Sequence, residues 1–341
     1  MTRRQIIDAS NFLGKLTLAK VLNAAKILVS YYLSKVLRLP IIWGSPMSLS
    51  VEPTTACNLQ CPECPSGLRA FTRPTGNLKT DFFRKTIDQI AATCTSVTLY
   101  IQGEPYINPS FLKMIAYANS QRLYTMTSTN GHFLTEEAAR QTVSSGLDRL
   151  IISIDGTTQE SYEAYRKNGN LAEVLDGTRR VIKWKKALQS KTPFIIFQFL
   201  VVKPNEHDIP RLHELADELG VDDVRLKTAQ IYDYQNGNSL IPDNKRYSRY
   251  IQRPDGTYQL KHKLQNQCWK MWHSAVVTWD GIVVPCCFDK DAQHGMGDLK
   301  KISFDQIWKG ESYHNFRSRL LQNRSNIDIC TNCTEGCSVW A

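Results

Sequence analysis

The chain has 341 residues, 42% hydrophobic and 22% charged, with a formal charge of +10. That composition excludes a disordered or fibrous chain and suffices for one large domain plus a small one. The cation excess favours an anionic substrate, an anionic lipid surface or nucleic acid, and no uncharged apolar run reaches the roughly 18 residues that would span a bilayer.

Ten cysteines carry more information. The start Met1-Thr2-Arg3-Arg4 is basic, but Lys15, Lys20 and Lys26 interrupt the apolar stretch behind it and no small-residue cleavage site follows, so no secretory leader is expected. The expectation is a cytoplasmic protein in a reducing compartment, where clustered cysteines read as metal ligands before disulfides.

Residues 1–46 read as an N-terminal helical extension, with one amphipathic helix over 10–38. Leu18, Val21, Leu22, Ala25, Val29, Tyr32, Leu33 and Val36 recur at three- and four-residue steps, with Lys15, Lys20, Lys26, Lys35 and Arg38 among or beside them. Two readings stay open: the stripe packs on the domain that follows, or the helix lies peripherally on the inner, anionic face of a membrane.

Residues 47–245 alternate. β-rich runs at 47–53, 96–102, 123–129, 148–154, 194–202 and 222–228 are separated by helical stretches near 80–93, 109–121, 135–145, 170–189 and 206–219. This is an α/β pattern of βαβ units with a parallel sheet, and six repeats fit a partial (β/α)6 TIM-like barrel. In such barrels the chemistry collects on the loops after the strands.

The first of those loops holds Cys57, Cys61 and Cys64, spaced C-x3-C-x2-C. Three thiolates are one short of the four that close a zinc or iron–sulfur site. A four-iron cluster held this way keeps one iron open for a ligand, while a structural zinc completed by a remote residue is the rival reading. The second strand end carries Gly103-Glu104-Pro105, the third Ser128-Thr129-Asn130-Gly131, and the fourth Ser153-Ile154-Asp155-Gly156, with Arg166 in the helical stretch beyond. Small residues admit a ligand to the backbone, Glu104 can accept from an ammonium and Arg166 can grip a carboxylate. Ammonium and carboxylate together describe an amino acid.

Residues 246–341 break the rhythm. A β-hairpin is expected to turn at Asp280-Gly281, between Cys268 and the pair Cys286-Cys287, followed by a helix near 303–321 and by Cys330, Cys333 and Cys337. Cys94 stands alone and reads as a buried hydrophobe. Asp289 and Asp291 read as solvated loop charges before they read as a proton acceptor at the barrel mouth.

Over roughly 47–245, these motifs resemble the radical S-adenosylmethionine (SAM) enzymes. Cys57, Cys61 and Cys64 match the cluster motif, Gly103-Glu104-Pro105 the Gly-Gly-Glu motif, and Ser153 to Gly156 with Arg166 the segment beyond. Gln102 stands where the family has its first Gly, and Glu63 where an aromatic residue is usual. The resemblance implies a [4Fe-4S] cluster on the three cysteines whose free iron chelates SAM, and homolysis of SAM to a 5′-deoxyadenosyl radical that takes hydrogen from substrate. Gly103, Glu104, Asn130, Ser153 and Arg166 are the candidate SAM contacts, and a flavodoxin or ferredoxin the candidate reductant. The C-terminal segment resembles the SPASM/twitch domain, which implies one auxiliary [4Fe-4S] cluster on Cys268, Cys286, Cys330 and Cys333, with Cys287 and Cys337 in reserve. A structural zinc is the other reading there. The implied reaction is net oxidation of a small molecule, such as an alcohol or sugar derivative, with the auxiliary cluster as electron acceptor. Maturation of a ribosomal peptide is the alternative. A regulatory iron–sulfur or zinc module is the non-enzyme reading. No helix-turn-helix or basic stripe with interleaved aromatics is present, so no nucleic-acid partner is expected.

Overall fold

The computed structural model describes residues 2–336 and Val339. Six strands, β1 (Ser48–Val51), β2 (Ser96–Thr98), β3 (Tyr124–Thr129), β4 (Arg149–Ser153), β5 (Phe194–Val201) and β6 (Asp223–Thr228), pair in chain order. All five pairings are parallel. Helices Thr80–Ile90, Phe111–Ser120, Glu136–Ser144, Leu171–Ala187 and Ile209–Leu219 lie between them, close to the expected positions. The sequence pattern explains the sheet: β5 reads Phe-Ile-Ile-Phe-Gln-Phe-Leu-Val, nearly all of it buried, as a strand covered on both faces must be. The β2 run is shorter than its composition suggests. It ends at Thr98; Leu99 N still donates to Met126 O (2.7 Å), and the chain then reaches the cysteine loop at Gly103.

A two-stranded ribbon, β7 (Tyr250–Gln252) and β8 (Tyr258–Leu260), follows the barrel strands. The expected hairpin then forms as β9 (Ser274–Val277) and β10 (Ile282–Val284), with Gly281 at φ +91° in the turn. It does not stand apart. β9 pairs parallel with β1, and β10 carries β11 (Gly297–Asp298), so one nine-stranded sheet runs β11-β10-β9-β1-β2-β3-β4-β5-β6. The hairpin thus covers the β1 edge of the open barrel, which would otherwise expose unpaired backbone groups. The helix expected near 303–321 is broken at Gly310 into Phe304–Lys309 and Glu311–Asn323.

The N-terminal segment forms two helices, α1 (Arg3–Gly14) and α2 (Leu18–Leu37), where one was expected over 10–38. The Thr17 side chain accepts from Lys20 N and caps α2, which starts a new helix after the Gly14 stop. The orientation of α2 also departs from the packing expectation. Its inward face is Lys20, Asn23, Ile27, Ser30, Tyr31 and Ser34, and the apolar stripe points out. Polar bonding explains it: Lys20 Nζ donates to Arg122 O (2.6 Å), and Asn23 Nδ2 donates to Ser45 O (2.8 Å). Ser34 Oγ accepts from Ile41 N (2.8 Å) and from Trp272 Nε1 (3.2 Å). Backbone groups at the N-terminal ends of the strands thereby find partners they would otherwise lack. Among the described residues no helix is long and apolar enough to cross a membrane.

Candidate active site

The cysteine loop leaves β1 through Glu52, which is fully buried and held by Arg73 in a two-pronged ion pair (2.6 Å on both prongs). Glu52 also accepts from Trp279 N (3.2 Å), fastening the loop to the C-terminal hairpin. Cys64 precedes the short helix Pro65–Leu68, whose Gly67 lies so close to Cys61 that an added Cβ would meet Cys61 N at 2.6 Å. Gly103 is under similar constraint. It sits at φ +73°, and a Cβ there would meet Thr54 O at 2.5 Å and Ala56 O at 2.8 Å. Its amide donates to Ser66 Oγ (2.9 Å), and Glu104 N donates to Ala56 O (2.7 Å). The Gly-Glu strand end is therefore laced to the cysteine loop through backbone.

Cys57, Cys61 and Cys64 share one cavity of about 360 Å³ with Gly103, Glu104, Asn130, Ser153 and Arg166, at the C-terminal ends of the strands. Its size suits a small-molecule site. Glu104 Oε2 accepts from Asn130 N (2.7 Å), and Oε1 from Thr129 Oγ1 (2.8 Å) and Tyr106 N (3.2 Å). Burial outweighs these donors and pushes its carboxyl up to about 7. Asn130 Nδ2 donates to Asn58 Oδ1 (2.7 Å), tying the third strand end to the residue after Cys57. Ser153 Oγ lies 3.3 Å from Ser128 Oγ. Arg166 Nε donates to the buried Asp155 (2.5 Å), and its Nη1 lies 3.8 Å from Cys61 Sγ. Asp155 therefore fixes one edge of the guanidinium and leaves the other toward the cavity.

Burial pushes the Cys57 thiol up to about 11 and raises Cys61 as well, although Arg166 opposes the latter. A metal centre binding here must displace those protons. Three thiols lining one cavity fit a four-iron cluster, which takes one thiolate at each of three corners and leaves the fourth iron to another ligand.

The C-terminal cysteines gather at the end of the hairpin. Burial, then the neighbouring Cys287, Cys268 and Cys333, push the Cys286 thiol up, and Cys268 is likewise a neighbour of Cys330 and Cys333. Arg324, 1% exposed, donates from Nη2 to Cys333 Sγ (3.3 Å). Cys287, beside Cys286, has Lys270, Glu335 and Lys290 as charged neighbours. Cys337 lies outside the described residues. Cys94 is fully buried, as a lone apolar cysteine is expected to be.

Sequence reasoning did not single out Tyr100, Tyr165, Gln198 or Lys290, which also line the cavity. Neither Asp289 nor Asp291 reaches it. Asp289 accepts from Gln293 N and His294 N, and Asp291 accepts from Thr72 N. Lys290, between them, lines the cavity and donates to Tyr232 Oη (2.9 Å). Glu63, the odd residue of the cysteine loop, accepts from Tyr232 N (2.9 Å).

A model of the radical SAM superfamily matches residues 51–216, and one of the SPASM iron–sulfur cluster-binding domain matches 268–334. The AdoMet-dependent heme synthase of Methanosarcina barkeri is 30% identical over 178 residues, 52% of this chain and 49% of that protein. The match thus spans about half the length of that relative. The tungsten-containing aldehyde ferredoxin oxidoreductase cofactor-modifying protein of Pyrococcus furiosus is 24% identical over 323 residues, 84% of this chain and 86% of that one. Among solved structures, Streptococcus suis SuiB bound to S-adenosylmethionine shares the fold at a TM-score of 0.64 and 13% identity, covering 87% of this chain and 74% of that one. The three thiols and the strand-end groups share one cavity, both domain models match, and the chain belongs to the radical SAM superfamily of enzymes, which use a [4Fe-4S] cluster and S-adenosylmethionine, with a SPASM iron–sulfur domain at its C-terminal end.

Proposed function

We propose that the chain catalyses a SAM-dependent radical oxidation of a small molecule, such as an alcohol or sugar derivative. In this reading residues 47–245 form the catalytic barrel, 246–341 the auxiliary domain and 1–46 an extension. Cys57, Cys61 and Cys64 hold the [4Fe-4S] cluster, and Cys268, Cys286, Cys330 and Cys333 hold one auxiliary [4Fe-4S] cluster. When bound, the first cluster with SAM supplies a hydrogen-abstracting radical, and the second supplies a one-electron acceptor. The chain's own residues do the positioning. Gly103 lets the backbone approach the amino end of SAM beside Glu104, Ser153 and Arg166 receive its carboxylate end, and Asn130 is a further contact. Lys290 and Gln198 face the remaining space and can hold substrate oxygens. A reduced flavodoxin or ferredoxin of the cytoplasm delivers the electron.

One observation carries the reading: the three loop cysteines share a cavity with Glu104, Ser153 and Arg166, and Lys290 brings the C-terminal cysteine segment to the same cavity. Two relatives by name, a heme synthase and a cofactor-modifying protein, agree with a small-molecule substrate, while a third, a PqqA peptide cyclase of Granulibacter bethesdensis, keeps a peptide as the second reading. The test is anaerobic reconstitution, reduction with dithionite in the presence of SAM, and chromatography for 5′-deoxyadenosine. Product from the wild type and none from Cys57→Ala is expected. No product from protein with full iron content overturns the proposal, and deuterium transfer from a labelled peptide but from no small molecule would move the substrate class to peptides.

A further inference from the structure

Helix α2 presents its apolar stripe to solvent. Leu18, Leu22, Ala25, Val29, Tyr32 and Val36 alternate in steps of four and three and are all exposed, Leu18 to 74% and Val36 to 77%. Of fifteen exposed large apolar side chains among the described residues, eleven lie between Ile6 and Trp43, so the exposure is concentrated in one segment. A patch of this kind marks an interaction surface. The rotation of α2 is set by its other face. Turning the stripe inward would strip Lys20, Asn23 and Ser34 of the carbonyl and amide partners they have in the fold.

The charge around the stripe has one sign. No Asp or Glu occurs between Asp8 and Glu52, while Lys26 and Lys35 are exposed on α2. At about 100° per residue, Lys26 and Lys35 border the stripe on opposite sides. Tyr32 in the stripe and the exposed Trp43 just beyond α2 are of the residue types that settle at headgroup level. A second copy of this chain is a poor occupant, because stripe-to-stripe pairing sets Lys26 and Lys35 against the same cations with no acidic partner in the segment. An anionic lipid surface satisfies both the stripe and the cations.

We propose that α2 lies in the headgroup region of an anionic phospholipid membrane, with its stripe at the acyl boundary and Lys26 and Lys35 at the phosphates. Lys20 bonds to the carbonyl of Arg122, just before β3, and Asn23 to that of Thr93, just before β2. The anchor therefore covers the strand ends opposite the cysteine loop, and the barrel mouth opens away from the lipid toward substrate in the aqueous phase. This surface is independent of the chemistry proposed above.

The test is flotation of the full chain with vesicles of phosphatidylcholine alone or mixed with phosphatidylglycerol, across a salt series. The wild type is expected to float with the anionic vesicles, less so as salt rises. Leu22→Asp with Val29→Asp should abolish flotation, and Lys26→Glu with Lys35→Glu should weaken it by about tenfold or more. All four positions are exposed, and an unchanged thermal midpoint verifies the fold of each variant. Equal flotation of the aspartate variant, or equal flotation with neutral vesicles, overturns the proposal. So does a wild-type dimer in vesicle-free solution that the aspartate variant converts to monomer, which would make a second copy the occupant.

Discussion

Gly103→Ala tests whether the strand end and the cysteine loop are built as one unit. Two costs add at this position. Gly103 has φ +73°, where an L side chain costs about 1–2 kcal/mol. The new Cβ would also stand 2.5 Å from Thr54 O and 2.8 Å from Ala56 O, both backbone atoms that move only with the loop. Such overpacking costs about 1–3 kcal/mol more. Gly220 is the internal control, since it has φ +82° but nothing within 4 Å of an added Cβ. Gly220→Ala therefore carries the conformational cost alone, and the difference between the variants isolates the collision. At roughly 2–4 °C per kcal/mol, Gly103→Ala should lower the melting temperature by on the order of 10 °C and Gly220→Ala by about 4 °C. Calorimetry of both apo variants measures this. The displaced loop carries the Glu104 N to Ala56 O bond with it, so reconstituted Gly103→Ala should also bind SAM at least about tenfold more weakly by titration calorimetry. A melting temperature for Gly103→Ala no lower than that of Gly220→Ala, with SAM affinity unchanged, would refute the reasoning.

Burial of Glu104 makes stability depend on pH. Its carboxyl is raised from 4.5 to about 7, so the folded apo protein binds the extra proton in that window and loses stability as pH rises through it, by up to about 3 kcal/mol. Urea unfolding at a series of pH values should show this slope in the wild type and its absence in Glu104→Gln. In a background lacking Cys57, Cys61 and Cys64, Cys286→Ser should lose the iron–sulfur absorption near about 400 nm while Cys287→Ser keeps it, because Cys268 and Cys333 are neighbours of Cys286. In that same background, Arg324→Gln should move the reduction potential of the remaining cluster to more negative values in an EPR-monitored titration. The buried guanidinium that donates to Cys333 favours the more negative, reduced state.

Much of the barrel was legible because its elements obey local rules. The continuous apolar run of β5 fits a strand buried on both faces, and the C-x3-C-x2-C loop together with the strand-end motifs carries the resemblance to the radical SAM enzymes. What was not legible depends on partners distant in sequence. The stripe of α2 reads as an inward face by periodicity, yet the bonds of Lys20 to Arg122 and of Asn23 to Ser45 turn it outward, and no periodicity encodes those. Pairing of β9 with β1 joins residues more than two hundred positions apart and makes the C-terminal hairpin part of the barrel sheet. Lys290 escaped notice between two carboxylates of more obvious chemistry. Only the folded hairpin shows that Asp289 and Asp291 are occupied with backbone amides while the lysine faces the cavity.

The most direct test of the central claim is the EPR spectrum of the reduced, reconstituted chain before and after SAM is added. An open iron on the Cys57, Cys61 and Cys64 cluster predicts that SAM shifts the g values of one reduced cluster. The shift should persist in Cys286→Ser and vanish in Cys57→Ala. A spectrum indifferent to SAM in protein with full iron content, or a shift that survives Cys57→Ala, would contradict the assignment of that loop as the place where SAM binds.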